Sequence, residues 1–102
     1  MSDALDPLAF RMWLETYSYH TVGLAGDVCE CPMASWLSEM HRYPYVVWGG
    51  TYSPLDCGEH DPVPLPKWAQ RFVELVDRTY GYRRVLRIGA LSLLDRCLRE
   101  VT

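Results

Sequence analysis

Four stretches of the chain carry apolar side chains at the spacing of an amphipathic helix. The first follows Asp6, a favourable N-cap residue, and Pro7, which suits the first helical position because no N–H is needed there. Its apolar positions recur at i, i+3, i+4 and i+7 and are Phe10, Trp13, Leu14 and Tyr17. The pattern predicts a helix whose apolar stripe packs into the core.

Three further helices are predicted in the same way. One begins at Pro32 and ends before Pro44, the next covers about residues 66–80, and the last follows Gly89. Gly81 is placed to end the third helix. The apolar stripes are Met33, Trp36, Leu37 and Met40, then Ala69, Phe72, Val73, Val76 and Tyr80, and finally Leu91, Leu94, Leu98 and Val101.

Short strands separate these helices. Residues 45–48 are the clearest strand, because aromatic and β-branched side chains favour a pleated sheet. Gly49 and Gly50 predict a bulge or bend, after which the strand continues. Residues 21–24 and 84–88 are predicted as two more strands, although a single helix from about residue 83 onward is an alternative to the second.

This order of elements predicts an α+β fold. We expect one globular domain over residues 1–102, with about four helices packed on a small two- or three-stranded sheet. If residues 45–52 and 84–88 pair in parallel, the helix between them forms a right-handed crossover. Residues 53–66 are predicted to be an irregular, Pro-rich loop, because four prolines there oppose regular structure.

Composition narrows the class of protein. Apolar residues make up 49% of the chain, the usual share for a folded globule, and no apolar run is long enough to cross a bilayer. The first residues are acidic, unlike those of a signal peptide, so we expect a cytoplasmic protein that is not associated with a membrane. Nine Arg accompany one Lys and no Asn, which indicates a GC-rich genome because Arg codons are GC-rich. A high-GC bacterium or its phage is the expected source.

Charge is distributed unevenly along the chain. Residues 1–61 carry nine acids and two bases, a net charge of −7, whereas residues 62–102 carry four acids and eight bases, a net charge of +4. Such a split indicates an acidic or basic partner, or pairing between two copies in a homodimer. The alternative is that the two halves neutralise each other within one folded chain.

One set of residues has the composition of a structural zinc site. Cys29 and Cys31 form a C-x-C pair, and Cys57 and His60 form a C-x-x-H pair farther along. Structural zinc takes four such ligands, usually as two close pairs that the fold brings together. The alternative is that the thiols are incidental, with Cys31 buried at the start of the second helix.

The same cysteines allow an enzymatic hypothesis. Cys31 is predicted to lie at a helix N-terminus, where backbone N–H groups favour the thiolate. A histidine brought near by folding would supply the base that a nucleophilic cysteine requires. A small thiol- or zinc-dependent enzyme centred on Cys31 and Cys57 is therefore one alternative for the function.

Arginine and tyrosine alternate between residues 78 and 87. The side chains expected to bind a partner are Arg78, Tyr82, Arg83 and Arg87. If a strand covers the end of this segment, Arg83 and Arg87 share its exposed face. The mixture suits a protein interface and also nucleic acid, where Arg contacts phosphates and Tyr stacks on bases. A third interpretation, in which the arginines close a helix end and Tyr80 and Tyr82 pack inward, gives the segment no binding role.

These observations favour binding over catalysis. The sequence contains no glycine-rich phosphate loop, serine-centred elbow or paired-carboxylate spacing. We predict a small non-enzymatic accessory or regulatory protein that binds another protein through the Arg/Tyr segment or the Pro-rich loop. A small nucleic-acid-binding regulator that uses residues 78–87 is a further alternative, which the net charge of −3 disfavours.

Overall fold

The helices form where the apolar periodicity predicts them. The computed structural model describes residues 5–55 and 62–101. In these residues the helices are α1 (Pro7–Thr16), α2 (Pro32–His41), α3 (Lys67–Tyr80) and α4 (Arg87–Val101). Asp6 caps α1 as predicted, because its carboxylate accepts a hydrogen bond from the Leu8 N–H at 3.0 Å. Gly81 ends α3 as predicted and donates its N–H to the Asp77 carbonyl.

Short strands form two small antiparallel sheets in the described part of the chain. The first pairs β1 (Thr21–Leu24) with β5 (Arg84–Leu86). The second joins β2 (Tyr45–Trp48), β3 (Thr51–Pro54) and β4 (Val63–Pro64) in that order. The α+β class with helices packed on small sheets is therefore confirmed.

The parallel pairing considered for residues 45–52 and 84–88 does not occur. β5 instead pairs with β1, and hydrogen bonds from Ala25 N–H to the Arg83 carbonyl and from Arg87 N–H to the His20 carbonyl flank that ladder. β2 finds its partner in the segment that follows it. A local hairpin closes a much shorter loop than a crossover would, so its entropic cost is smaller.

Gly49 and Gly50 form a hairpin turn and not a bulge within one strand. Both have positive φ, at 61° and 81°, as the central residues of a two-residue type I′ turn require. Trp48 consequently lies opposite Thr51, and Val47 opposite Tyr52. The prediction that the strand continues through Gly49 and Gly50 was wrong, because two consecutive positive φ angles reverse the chain.

The predicted irregular loop over residues 53–66 contains regular structure at both ends. Ser53 and Pro54 complete β3, and β4 pairs with the start of β3. Pro54 is tolerated because its nitrogen faces the β4 side, beyond the pairs that β4 makes. Residues 56–61 lie outside the described residues.

The boundary between β5 and α4 also differs from the prediction. The strand ends at Leu86, and the helix begins at Arg87, two residues before Gly89. Gly89 is a glycine for another reason, since a Cβ there would lie 1.8 Å from the Tyr80 hydroxyl. Gly89 therefore lets α3 and α4 approach closely, and it does not mark the start of α4.

The core lies where the predicted helical stripes meet. Phe10 of α1 contacts Trp36 of α2 at 4.9 Å and Phe72 of α3 at 5.0 Å between ring centroids. The largest fully buried side chains also include Leu14, Met33, Leu37, Leu75 and Leu94. Met40, predicted to be in the stripe of α2, is exposed near the helix end. The Cα radius of gyration is 12.6 Å, close to the value of about 13 Å typical of one domain of 100 residues.

Among the described residues, no helix has both the length and the apolar character that a membrane span requires.

Candidate functional site

A cleft with a volume of ≈ 370 Å³ opens between the tip of the β2–β3 hairpin and the turn that follows α3. Trp48 lines it from the hairpin, and Tyr82 lines it from the turn. Asp27 and Asp77 also line it, and Cys31 lies in its floor. We call this feature the aromatic cleft, because its two most exposed large side chains are aromatic.

The hairpin wall is fixed by the turn and by α3. Val47 points into the core, so the alternation of the strand turns Trp48 outward, where it is 73% exposed. The Gly50 carbonyl accepts a hydrogen bond from the Leu65 N–H at 2.9 Å. Gln70 of α3 lies directly against Gly50. An exposed tryptophan is therefore held on a tethered turn.

The second wall is Tyr82, whose ring lies on Gly26 and is nevertheless 86% exposed. A Cβ at Gly26 would be 2.6 Å from Cδ1 of this ring, and Gly26 has a φ of 78°. Both the contact and the left-handed conformation require glycine at this position. Tyr82 was among the predicted binding residues, and the predicted alternative in which it packs inward is wrong.

Two carboxylates stand at the cleft, each held by backbone N–H groups. The Asp77 carboxylate accepts from the Gly26 N–H at 2.9 Å. The Asp27 carboxylate accepts from the N–H groups of Cys29 and Glu30 at 2.8 and 2.9 Å. In each case one oxygen makes these bonds, so a second oxygen is left for another donor.

Cys31 forms the floor and caps α2. Its sulfur accepts the Ala34 N–H at 3.4 Å, so the predicted helix N-terminal position is confirmed. The expected thiolate is not favoured, because the pKa of Cys31 is raised to about 11, mainly by burial and in smaller part by the charges of Asp77 and Asp27. The backbone hydrogen bonds oppose this rise but do not overcome it.

The structure describes only two of the four residues in the zinc hypothesis. Cys29 is exposed and Cys31 is buried, while Cys57 and His60 lie outside the described residues. Among residues 5–55 and 62–101, no three His, Cys, Asp or Glu side chains are grouped closely enough to hold a metal ion. Zinc binding by the four residues stays a prediction, which native mass measurement with and without a chelator tests.

The predicted binding arginines, unlike Tyr82, do not line the aromatic cleft. Arg83 folds back to donate to the carbonyls of Tyr80 and Thr79 at 3.0 and 3.4 Å, which closes the end of α3. Arg87 is half-buried, donates to the Glu15 carbonyl at 3.4 Å, and keeps a buried Nε that has no partner in the described residues. Arg78 is exposed in the last turn of α3.

The predicted alternation of Arg83 and Arg87 on one strand face is wrong. It required a strand through residue 87, whereas β5 ends at Leu86 and α4 begins at Arg87. Arg83 and Arg84, which alternation placed on opposite faces, are both exposed. Only Arg84 belongs to the strand, so the alternation rule does not relate the two.

Sequence reasoning missed Trp48, Asp27 and Asp77. Trp48 was predicted only as part of the strand over residues 45–48, although a glycine pair after an aromatic strand is a signal for a hairpin turn. Asp27 and Asp77 are far apart in sequence, and only the fold brings them to one cleft. Nothing in their local sequence marks them.

Comparisons of the chain with protein-family models, with curated proteins and with solved structures found no match.

Proposed function

We propose that this chain is a non-enzymatic accessory or regulatory protein that binds another protein, with the aromatic cleft at the centre of the interface. The observation that carries the proposal is the pair Trp48 and Tyr82, which are 73% and 86% exposed on different walls of the same cleft. Trp and Tyr are the residues most enriched among interface hot spots. Exposed apolar side chains that are grouped in one cleft, in contrast to single scattered ones, mark interaction sites.

The construction of the cleft supports binding. Hydrogen bonds fix the backbone beside both aromatic residues, since the Gly50 carbonyl accepts from the Leu65 N–H and the Gly81 N–H donates to the Asp77 carbonyl of α3. Backbone fixed in this way loses little conformational entropy when a partner covers it. The cleft is therefore suited to bind without rearrangement.

The charge distribution supports a partner outside the chain. The ion pairs among the described residues join Arg11 with Glu15 and Asp95, Arg71 with Glu74 and Glu100, and Arg96 with Glu100. Only Arg11–Asp95 connects the acidic half with the basic half, and it uses one of the two bases of the acidic half. Ion pairing in this part of the chain therefore leaves the charge split largely in place.

The two alternatives have less support. Nucleophilic chemistry at Cys31 is opposed by its burial and its raised pKa. Nucleic acid at this surface would bring phosphates close to Asp27 and Asp77, which repel them. A cytoplasmic location stays a prediction.

Comparative affinity capture from the host cell tests the proposal. Three tagged forms are used: the parent, Trp48→Ala with Tyr82→Ala, and a matched control with Leu8→Ala and Met12→Ala. Leu8 and Met12 are each 64% exposed on α1, so the control removes similar apolar surface far from the cleft. We expect the cleft variant to lose at least one protein by about tenfold or more, and the control to retain it.

Two results of this experiment would contradict the proposal. If all proteins captured by the parent are also captured by the cleft variant, the aromatic cleft is not the interface. If capture is lost on nuclease treatment, the bound species is nucleic acid, and the alternative function replaces the proposed one. All three forms should have similar melting temperatures, because the substituted side chains are exposed.

A further inference from the structure

The aromatic cleft is negatively charged as well as aromatic. Asp27 and Asp77 both line it, and no basic side chain among the described residues forms an ion pair with either of them. Arg83, the arginine next to Tyr82, is turned away toward the carbonyls at the end of α3. The negative charge of the cleft is therefore not offset by a base of the described residues.

The two carboxylates lie on neighbouring parts of the cleft. The Asp77 carboxylate accepts a hydrogen bond from the Gly26 N–H at 2.9 Å, and Asp27, the next residue along the chain, lines the same cleft. Each also has one oxygen fixed by backbone N–H groups, which orients the carboxylate without neutralising it. A cation in the cleft would therefore meet two oriented charges and two aromatic walls.

We propose that the aromatic cleft receives an arginine side chain of the partner protein. Guanidinium groups bind carboxylates through a planar fork of N–H donors and stack on aromatic rings, so one group can satisfy both features of the cleft. Lysine offers a point charge on a flexible stem and lacks the planar face that stacks on Trp48 or Tyr82. This inference rests on the proposed function, because it names the chemistry of the partner at the same surface.

A second shallow cleft in the described residues does not offer the same chemistry. It is formed by the side chains around Trp13 and Tyr17, with Glu39 as its carboxylate. The Trp13 indole N–H already donates to that carboxylate at 3.0 Å. The aromatic cleft is therefore the better site for a cation.

Isotope-edited NMR with a short peptide tests the inference. The probe is a capped glycine peptide with one central arginine, and the matched control contains citrulline, whose neutral ureido group has nearly the same shape but replaces one nitrogen of the donor fork with a carbonyl oxygen. We expect the arginine peptide to shift the Trp48 indole N–H and the Gly26 amide at millimolar concentrations. The citrulline peptide should bind about tenfold more weakly or worse.

Asp27→Asn with Asp77→Asn gives a second, independent measurement. Asparagine keeps an oxygen that accepts the same backbone hydrogen bonds and removes only the charge. We expect the melting temperature to change little and the affinity for the arginine peptide to fall by about tenfold or more. Equal binding of the two peptides by the parent, or no shifts with either, overturns the inference whether or not this variant folds.

Failure of this inference is distinguishable from failure of the proposed function. If Trp48→Ala with Tyr82→Ala abolishes partner capture while Asp27→Asn with Asp77→Asn does not, the cleft binds a protein but not through arginine. If the cleft amides shift when the concentration of the protein itself is raised, a second copy is the occupant, and a foreign arginine is excluded.

Discussion

The aromatic cleft and the outer face of α1 both expose large apolar side chains, and they do so in different ways. Leu8 and Met12 project from a straight helix whose neighbouring charges are paired, since Arg11 bonds to Glu15 and Asp95. Trp48 projects from the end of β2 and Tyr82 from the turn after α3, both beside carboxylates that the described bases do not pair with. The first surface is neutralised locally, whereas the second keeps a negative charge that the described bases do not pair with.

This difference separates an ordinary surface from a binding site. Isolated exposed aliphatic residues are common on proteins and need no explanation. Trp and Tyr side chains that are exposed together in one cleft are instead typical of interface hot spots. The two surfaces should therefore respond differently to substitution, and the following experiments rank those responses.

We expect the largest loss of stability from a substitution that strains the backbone next to the aromatic cleft. Gly23, in β1, has a φ of 148°, and a Cβ there would lie 2.3 Å from the Glu30 carbonyl oxygen, at the end of the loop that carries Asp27. Gly23→Ala should lower the free energy of unfolding by about 3–6 kcal/mol, measured by urea denaturation, because strain and overlap add.

The matched exchange on α1 is Ala9→Gly. Ala9 is exposed within the helix, so this substitution should lower the free energy of unfolding by only about 1 kcal/mol, the difference in helix propensity. Similar losses from Gly23→Ala and Ala9→Gly would show that the loop between β1 and α2 can relax, and that the cleft is less rigid than we infer.

Leu37→Ala probes the core beneath both surfaces. Leu37 is fully buried in α2, so the substitution should cost about 2–5 kcal/mol in the free energy of unfolding. Met12→Ala on the outer face of α1 should cost less than about 0.5 kcal/mol. If Met12→Ala is as costly as Leu37→Ala, the outer face of α1 is covered, for example by a second copy, and the contrast with the cleft is lost.

Ser38 lies off the apolar stripe of α2, so Ser38→Ala would be expected to change the stability little and to serve as a control for Leu37→Ala. The structure predicts otherwise. The Ser38 hydroxyl accepts a hydrogen bond from the Tyr45 N–H at 2.9 Å, which joins α2 to the start of β2. Its loss should therefore cost about 1 kcal/mol. The helical stripe alone does not reveal this contact, because it depends on where the next strand begins.

The Cys31 thiol, in the floor of the cleft, should titrate as a buried group and not as a surface group. Burial raises the pKa of Cys31 from its ordinary value of 9.0 to about 11, so above pH 9 the unfolded chain loses this proton while the folded chain keeps it. The free energy of unfolding should fall between about pH 9 and pH 11, and this thiol should contribute about 2–3 kcal/mol to the fall.

Comparison with Cys31→Ala isolates that contribution. The variant loses its helix cap at every pH, but its stability should fall less steeply over this interval than that of the parent. Parallel stability curves would mean that water reaches the thiol and that the cleft is open to its floor.

The sequence predicts the parts of this molecule that depend on neighbouring residues. Helical stripes, the Asp6 cap and the Gly81 stop are set by side chains within a few positions of one another, and they are confirmed. Strand pairing depends on which distant segment is available, so the antiparallel partner of β5 was not predicted. Gly89 was misread for the same reason, since its role is set by Tyr80 of another helix.

The same distinction between local and distant contacts explains which residues of the candidate site were predicted. Tyr82 was predicted because it lies within a local run of Arg and Tyr, and it does line the cleft. Trp48 was hidden because its exposure follows from the hairpin turn, which reverses the chain directly after it. Asp27 and Asp77 meet only after α3 packs beside the loop that leads to α2, which no local pattern encodes.

The smallest effect should come from the paired charges on α1. Arg11 lies one turn from Glu15 and reaches Asp95 of α4, and all three side chains are partly exposed. Arg11→Ala should lower the free energy of unfolding by about 0–1 kcal/mol, because solvent screens exposed ion pairs. The difference should shrink further at high salt. In the capture experiment the variant should retain every partner that the parent binds. A loss of stability above about 2 kcal/mol, or a lost partner, would show that this helical face is a functional surface too.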